Sequence, residues 1–339
     1  MVVTDRKNME YMLGFITKIC DECGGRIACS DEEHKASQII KEECEKFADE
    51  VKYDPFKTAF HAYPRGFIRT ALGLCTIAMG LFPTILHFAS FFLALLALLV
   101  VVFELMVMLE FIDPFYKKGT SYNAFGRIKP QKETKMLLVF GGHTDSAYHV
   151  PLAEKYGQDI LKYLLSAVGA IVFAIGVGLL KFIFAFAVPN AGYMNLGSLW
   201  GFFRWTIFDY ILFLPMIVWY PFVIWVVTHY VSNKPVLGAN DNLSAVAAAM
   251  AIGHWAKKNR PKHVEVWAGS FGAEECGQRG SKAFVKKYGL EEKILNNSHT
   301  VVLESVSGLG YGLLSSESMY LSWPSLKPVI HSKETVDKM

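Results

Sequence analysis

The sequence predicts an α/β domain on a mixed sheet, interrupted by two apolar hairpins that enter a membrane. Three observations carry this. The chain of 339 residues is 52% hydrophobic and 14% aromatic with a positive mean hydropathy, which is more apolar than an ordinary soluble domain. The excess is concentrated in two blocks, Phe67 to Ile112 and Tyr163 to Val231. The polar remainder holds short β-like runs that end in glycines next to histidine or acidic residues.

In chain order, Met9, Met12, Leu13, Ile16 and Ile19 recur at helical spacing. After the Gly24-Gly25 break, Ala36, Ile39, Ile40, Cys44 and Phe47 mark one face of a second helix. Ser30 is placed to cap it, and Asp31, Glu32 and Glu33 suit its first turn. Residues 51–64 read as a strand and a connection. In the first apolar block only Arg69, Glu104 and Glu110 are charged. As helix at about 1.5 Å per residue it would reach roughly 69 Å, twice a hydrocarbon core of about 30 Å, so it should cross twice, turning near Pro83, His87 and Ser90.

Lys135 to Phe140 reads as a buried strand delivering Gly141, Gly142, His143, Thr144 and Asp145 to its end, where open α/β sheets place their sites. His143 is a candidate metal ligand, and Asp145 is placed to accept its second ring N–H. His149 has no such context. The second apolar block, broken by Pro189, Asn190, Gly192 and Asn195, again has room for two spans. Asp241 then lies in a Gly-Ala-Asn-Asp-Asn turn before a helix from Leu243 to Lys258, whose alanines allow close packing on a sheet. Val264 to Phe271 reads as a strand followed by Glu274 and Glu275, then a helix from Lys282 to Tyr288; Thr300 to Leu303 reads as a strand ending at Glu304. Taken singly, Asp241 is a helix cap and the glutamates are solvated loop residues. Together they offer hard oxygen ligands on rigid elements and a spare carboxylate to move protons, as a metal-dependent hydrolase requires.

Two hairpins return the chain each time to the side it left. Residues 1–64, 113–160 and 232–339 are therefore expected to form one discontinuous domain, with hairpins at 65–112 and 161–231. Arg65, Arg69, Lys117, Lys118, Lys155, Lys162 and Lys234 lie near the membrane on that side, against Lys181 and Arg204 on the other, which places the domain in the cytoplasm at the cell membrane. The start of the chain has no cleavable signal pattern. Lys181 and Glu104 read as snorkelling side chains. A net charge of +3 is too small to indicate nucleic acid, and the lipid bilayer accounts for the basic residues. The six cysteines show no disulfide framework, and the lone CxxC at Cys20 and Cys23 fits reduced thiols.

Four segments, HTD at 143–145, GANDN at 238–242, FGAEECGQRGS at 271–281 and LESVSG at 303–308, together resemble the M28 family of zinc peptidases, the aminopeptidase and glutamate carboxypeptidase-like group. CGGRIACSDEEHKAS at 23–37 is similar to that family's amino-terminal segment. The resemblance implies a zinc-exopeptidase fold, peptide substrates and two Zn2+ ions. Asp241 would bridge both ions, His143 and Glu304 would complete one, and Glu275 would bind the other. It makes Glu274 the general base that takes a proton from a metal-activated water, and it implies a cis bond between Asp241 and Asn242. Glu304 stands where many members have Asp. The family's fifth ligand, a later histidine, has no match: His331 sits in LKPVIHSKETVDKM, which reads as a mid-domain helix, so the chain is expected to stop short of it. The rival readings are a catalytically inactive scaffold, a carboxypeptidase or other amide hydrolase, and a serine hydrolase using Ser270 in AGSFG.

Overall fold

The computed structural model describes residues 6–187, 207–230, 232–307 and 312–338. Helices α1 (Arg6–Cys23) and α2 (Asp31–Phe47) lead into strand β1 (Glu50–Thr58). Ser30 caps α2 by accepting from the Glu33 amide at 3.1 Å. Helices α3 (Phe67–Leu81) and α4 (His87–Val101) form the first apolar hairpin, turning at Pro83. Strands β2 (Gly119–Ile128) and β3 (Met136–His143) follow, then the short α5 (Pro151–Tyr156) and the second apolar pair, α6 (Ile160–Ala187) and α7 (Ile207–His229). Helix α8 (Ser244–Lys258), strand β4 (Val264–Phe271), α9 (Arg279–Phe284) and β5 (Ser298–Val302) complete the sheet domain. Beyond it lie β6 (Ser316–Ser322), β7 (Lys327–Ile330) and α10 (Lys333–Lys338).

The sheet is mixed, in the order β1-β2-β4-β3-β5, with β3 parallel to both β4 and β5 and the β1 and β2 pairings antiparallel. Its apolar faces bury against helices on both sides. One face packs Ile19, Ile40, Phe47, Leu243, Val246 and Met250 of the helical layer onto Val266 and Ala268. The other closes Phe125, Val139, Trp267 and Phe271 against Phe284 and Tyr288. The alanines of α8 do what their size suggests: a Cβ at Gly142 would come within 2.6 Å of the Ala245 Cβ, so α8 sits directly on the end of β3.

A separate apolar cluster joins α3, α4, α6 and α7 through Cys75, Ala78, Ala94, Ala97, Ala170, Ala174, Val177 and Val223. Small residues at helix contacts let backbones approach, and a Cβ at Gly178 would lie 3.0 Å from the Phe91 Cα. By length and composition, two helical stretches, His87–Met106 and Pro151–Phe184, are long and apolar enough to cross a membrane, and Pro215–Val226 is a shorter apolar helix. The expectation of four spans thus has two such stretches among the described residues. Pro189, Asn190, Gly192, Asn195 and Arg204 lie outside the described residues.

Four readings change. Lys181 does not snorkel: it is 2% exposed and donates to Asp209 Oδ1 at 2.5 Å and to the Phe82 carbonyl at 2.6 Å. Glu104 is also buried, accepting from the Ile112 amide at 2.8 Å. Residues around His331 form strand β7 and then α10 rather than one helix. Strand β2, between β1 and β4 in the sheet, has no counterpart in the sequence reading, because Ser121, Asn123 and Gly126 interrupt its apolar alternation.

Candidate metal centre

Parallel pairing of β3 with β4 and β5 brings their carboxyl ends level. His143 lies opposite Phe271, and the Leu303 amide donates to the Gly141 carbonyl at 2.8 Å. The segments that leave these ends, with the turn before α8, carry all the candidate residues. His143 is 2% exposed, and its Nδ1 lies 3.1 Å from the backbone carbonyl of Asp145 and 3.5 Å from that residue's Oδ1. A proton on Nδ1 shared with that carbonyl directs Nε2 outward as the available ligand atom. Nε2 is 3.0 Å from Asp241 Oδ1, 3.7 Å from Glu274 Oε2 and 3.9 Å from Glu304 Oε1. His143, Asp241 and Glu275 each present a ligand atom, all within 4.8 Å of one another.

The two acidic segments are held by their backbones. Asp145, fully buried, accepts from the Glu274 and Glu275 amides, each at 2.9 Å. One residue earlier, Ala273 has φ +50° and donates its amide to Glu33 Oε1 at 2.9 Å. Glu33 also accepts from Ser121 Oγ at 2.7 Å and from the Cys29 amide at 2.6 Å. Asn123 accepts from the Gly272 amide and donates to the Gly280 carbonyl. On the other side, Gly238 at φ +60° starts the turn that presents Asp241, and the Asp241–Asn242 peptide bond is cis. Asn242 donates to Glu304 Oε2 and to the Leu303 carbonyl, both at 3.0 Å.

This packing of acids has an electrostatic consequence. Burial, reinforced by Asp145, raises Glu275 to about 8, and burial likewise raises Glu304 to about 7 although His143 opposes it. Burial opposes charge on His143, but its bonds to Asp145 and Asp241 and the nearby Glu274 outweigh it and hold the imidazole well above its usual range. The His143 contact in turn holds Asp241 below the usual carboxylate range. The crowding that makes Glu275 and Glu304 resist losing their protons is relieved by a divalent cation, and one imidazole with several carboxylates is a donor set that suits zinc. The residues present therefore fit the metal.

The sequence-derived candidates His143, Asp145, Asp241, Glu274, Glu275 and Glu304 all converge here. Ser270 does not serve as a nucleophile, since it is fully buried within β4 and shares a hydrogen bond of 2.7 Å with Thr144 Oγ1. Sequence reading missed Glu33, Ser121, Asn123, Asn242 and Arg26, which hold the site segments without entering the ligand set. The available signal, for Ser121 and Asn123, was polar residues where a buried strand pattern calls for apolar ones.

Residues 221–335 match the model of peptidase family M28, which bears out the resemblance read from the motifs. No curated protein matches the chain by sequence. Among solved structures, an aminopeptidase from Aneurinibacillus sp. strain AM-1 aligns at 14% identity and a TM-score of 0.44, over 91% of this chain and 72% of that one. A leucine aminopeptidase precursor from Bacteroides thetaiotaomicron aligns at 11% and 0.42, over 89% and 63%. A glutaminyl cyclase from Fimbriiglobus ruber aligns at 13% and 0.41, over 87% and 60%. The chain thus spans less than two thirds of the length of the latter two.

Proposed function

From the premise that residues 221–335 carry the M28 peptidase match, we propose that the protein is a membrane-anchored zinc exopeptidase that removes residues from the amino termini of peptides. The observation that supports it most is the meeting of His143, Asp241 and Glu275, from three separate segments, with their ligand atoms within 4.8 Å and Glu274 beside them. His143, Asp241, Glu275 and Glu304 would hold zinc. When bound, the metal supplies a Lewis acid that polarises the scissile carbonyl and makes water more acidic. Glu274 accepts a proton from water as its oxygen bonds to the carbonyl carbon, and returns that proton to the amine nitrogen as the C–N bond breaks. Asp145 fixes the carboxylate's direction through the Glu274 and Glu275 amides and orients His143 through its own carbonyl.

The same proposal places α3 with α4 and α6 with α7 in the bilayer as two hairpins, and sets residues 1–64, 113–160 and 232–339 together as a cytoplasmic domain. The lysine and arginine bias favours that side. The test is hydrolysis of unblocked peptides and their N-acetylated counterparts by the full chain in detergent. The reading expects release of amino-terminal residues from the unblocked set alone, abolished by a chelator and restored by zinc. Equal cleavage of blocked peptides, or activity indifferent to chelation, would refute it.

A further inference from the structure

Arg26, on the connection between α1 and α2, is fully buried. A guanidinium has five N–H donors and no acceptor, so its burial is costly unless oxygen atoms surround it. Here those oxygens are main-chain carbonyls. Nε donates to Thr144 at 2.9 Å, Nη1 to Gly24 at 2.7 Å and Leu237 at 2.9 Å, and Nη2 to Gly238 at 3.1 Å. The Arg26 amide donates to Ser146 Oγ at 2.8 Å, and its carbonyl accepts from the Ser146 amide at 2.8 Å.

Apart from Gly24, on the same connection as Arg26, these partners fall in two segments. Thr144 directly follows His143, and Leu237 and Gly238 directly precede the turn of Asp241; α6 and α7 separate them in sequence. A short run of backbone bonds pairs the segments further out: Val236 to the Ala147 carbonyl at 2.9 Å, His149 to the Lys234 carbonyl at 2.8 Å and Ser232 to the His149 carbonyl at 2.9 Å. That pairing ends at Ala147 and Val236, where the segments diverge toward His143 and Asp241. The guanidinium occupies the fork.

We infer that Arg26 is a positioning residue that sets the separation of His143 from Asp241 across the inserted apolar pair, and so governs how tightly the site retains zinc. This rests on the zinc reading above. A planar fork can reach carbonyls on both arms at once, whereas a lysine ammonium presents three donors from one atom and cannot span them. Methionine at this position leaves all four carbonyls without their donor.

The experiment uses the full chain in detergent. Zinc is competed against a chromophoric chelator, and thermal unfolding of the metal-free protein is recorded in parallel. At a temperature where its metal-free form is still fully folded, Arg26→Lys is expected to yield zinc at least about tenfold more readily than the wild type, within the range for residues that orient ligands. Arg26→Met should lose more. Arg127→Lys, on β2 and paired with Glu265, should retain zinc as the wild type does. Wild-type retention by Arg26→Lys, or a loss seen only at temperatures where its metal-free form is unfolded, overturns the inference while leaving the zinc reading intact. A wild-type chain that binds no zinc fails the zinc reading itself and takes the inference with it.

Discussion

Glu274 and Glu275 are adjacent, yet their surroundings separate them. Glu275 is raised by burial and by Asp145, whereas Glu274 stands 3.7 Å from His143 Nε2 with about a third of its side chain exposed. Both are partly buried, and it is Glu275 whose carboxylate falls within 4.8 Å of the ligand atoms of His143 and Asp241, which suits it to a ligand and Glu274 beside it to a proton carrier. Glu274→Gln keeps the shape and removes the base, so turnover should fall by roughly 100- to 10,000-fold with zinc content unchanged, as read by steady-state kinetics beside metal analysis. An equal loss of zinc would make Glu274 a ligand instead. At this scale much of the site was legible, because the six candidate residues carry chemistry that needs carboxylate or imidazole. Arg26 and Glu33 were less so, since an arginine beside a double glycine and an acid in a helix's first turn look the same in sequence whether they face solvent or three loops.

Secondary-structure elements meet through a few charged contacts. Glu43 of α2 joins three helices: it accepts from Tyr11 of α1 at 2.7 Å, from His254 of α8 at 2.8 Å and from Lys46 at 2.6 Å. Burial alone would raise Glu43, but bonds from His254, Lys46 and Tyr11 outweigh it and bring it down to about 2. A depressed native pKa means the contribution is complete above the ordinary value of 4.5 and is lost as pH falls from there toward about 2. Glu43→Gln should therefore lower the melting temperature at pH 7 and narrow the gap to wild type across that acid interval. A gap independent of pH would contradict this. In the apolar bundle, Lys181 of α6, Asp209 of α7 and the end of α3 meet at one buried point. Lys181→Met removes the cation beside a buried carboxylate and should cost about 3–5 kcal/mol, whereas Lys181→Met with Asp209→Leu should be milder. Thermal unfolding of the three forms in detergent decides, and additive losses would show that the pair is not coupled. The helices of this bundle were plain from hydropathy, but pairing between α6 and α7 was not, because a single lysine near a helix end reads as a snorkelling one. Strand β2 escaped notice for a related reason: its Ser121 and Asn123 spend their buried positions on the turns around Glu274.

Across the whole molecule, the site is one that no single stretch of chain contains. His143 precedes the α6 and α7 insertion, Asp241 follows it, and Glu275 and Glu304 come from the ends of later segments of the same sheet. The parallel pairing of β3 with β4 and β5 gathers these ends, and Arg26 from the amino-terminal connection ties the two segments that the insertion separates. The class of fold and the order of its motifs could be read from the sequence because strand ends and glycine turns leave local patterns. How far apart the converging residues come to rest could not, since that depends on pairings between segments remote in the chain. The most direct test is metal analysis of the purified full chain beside His143→Ala, Asp241→Ala and Glu275→Ala. Zinc is expected in the wild type, with a marked loss in each variant. Zinc unchanged across all three, or none in the wild type after zinc is supplied, would contradict this.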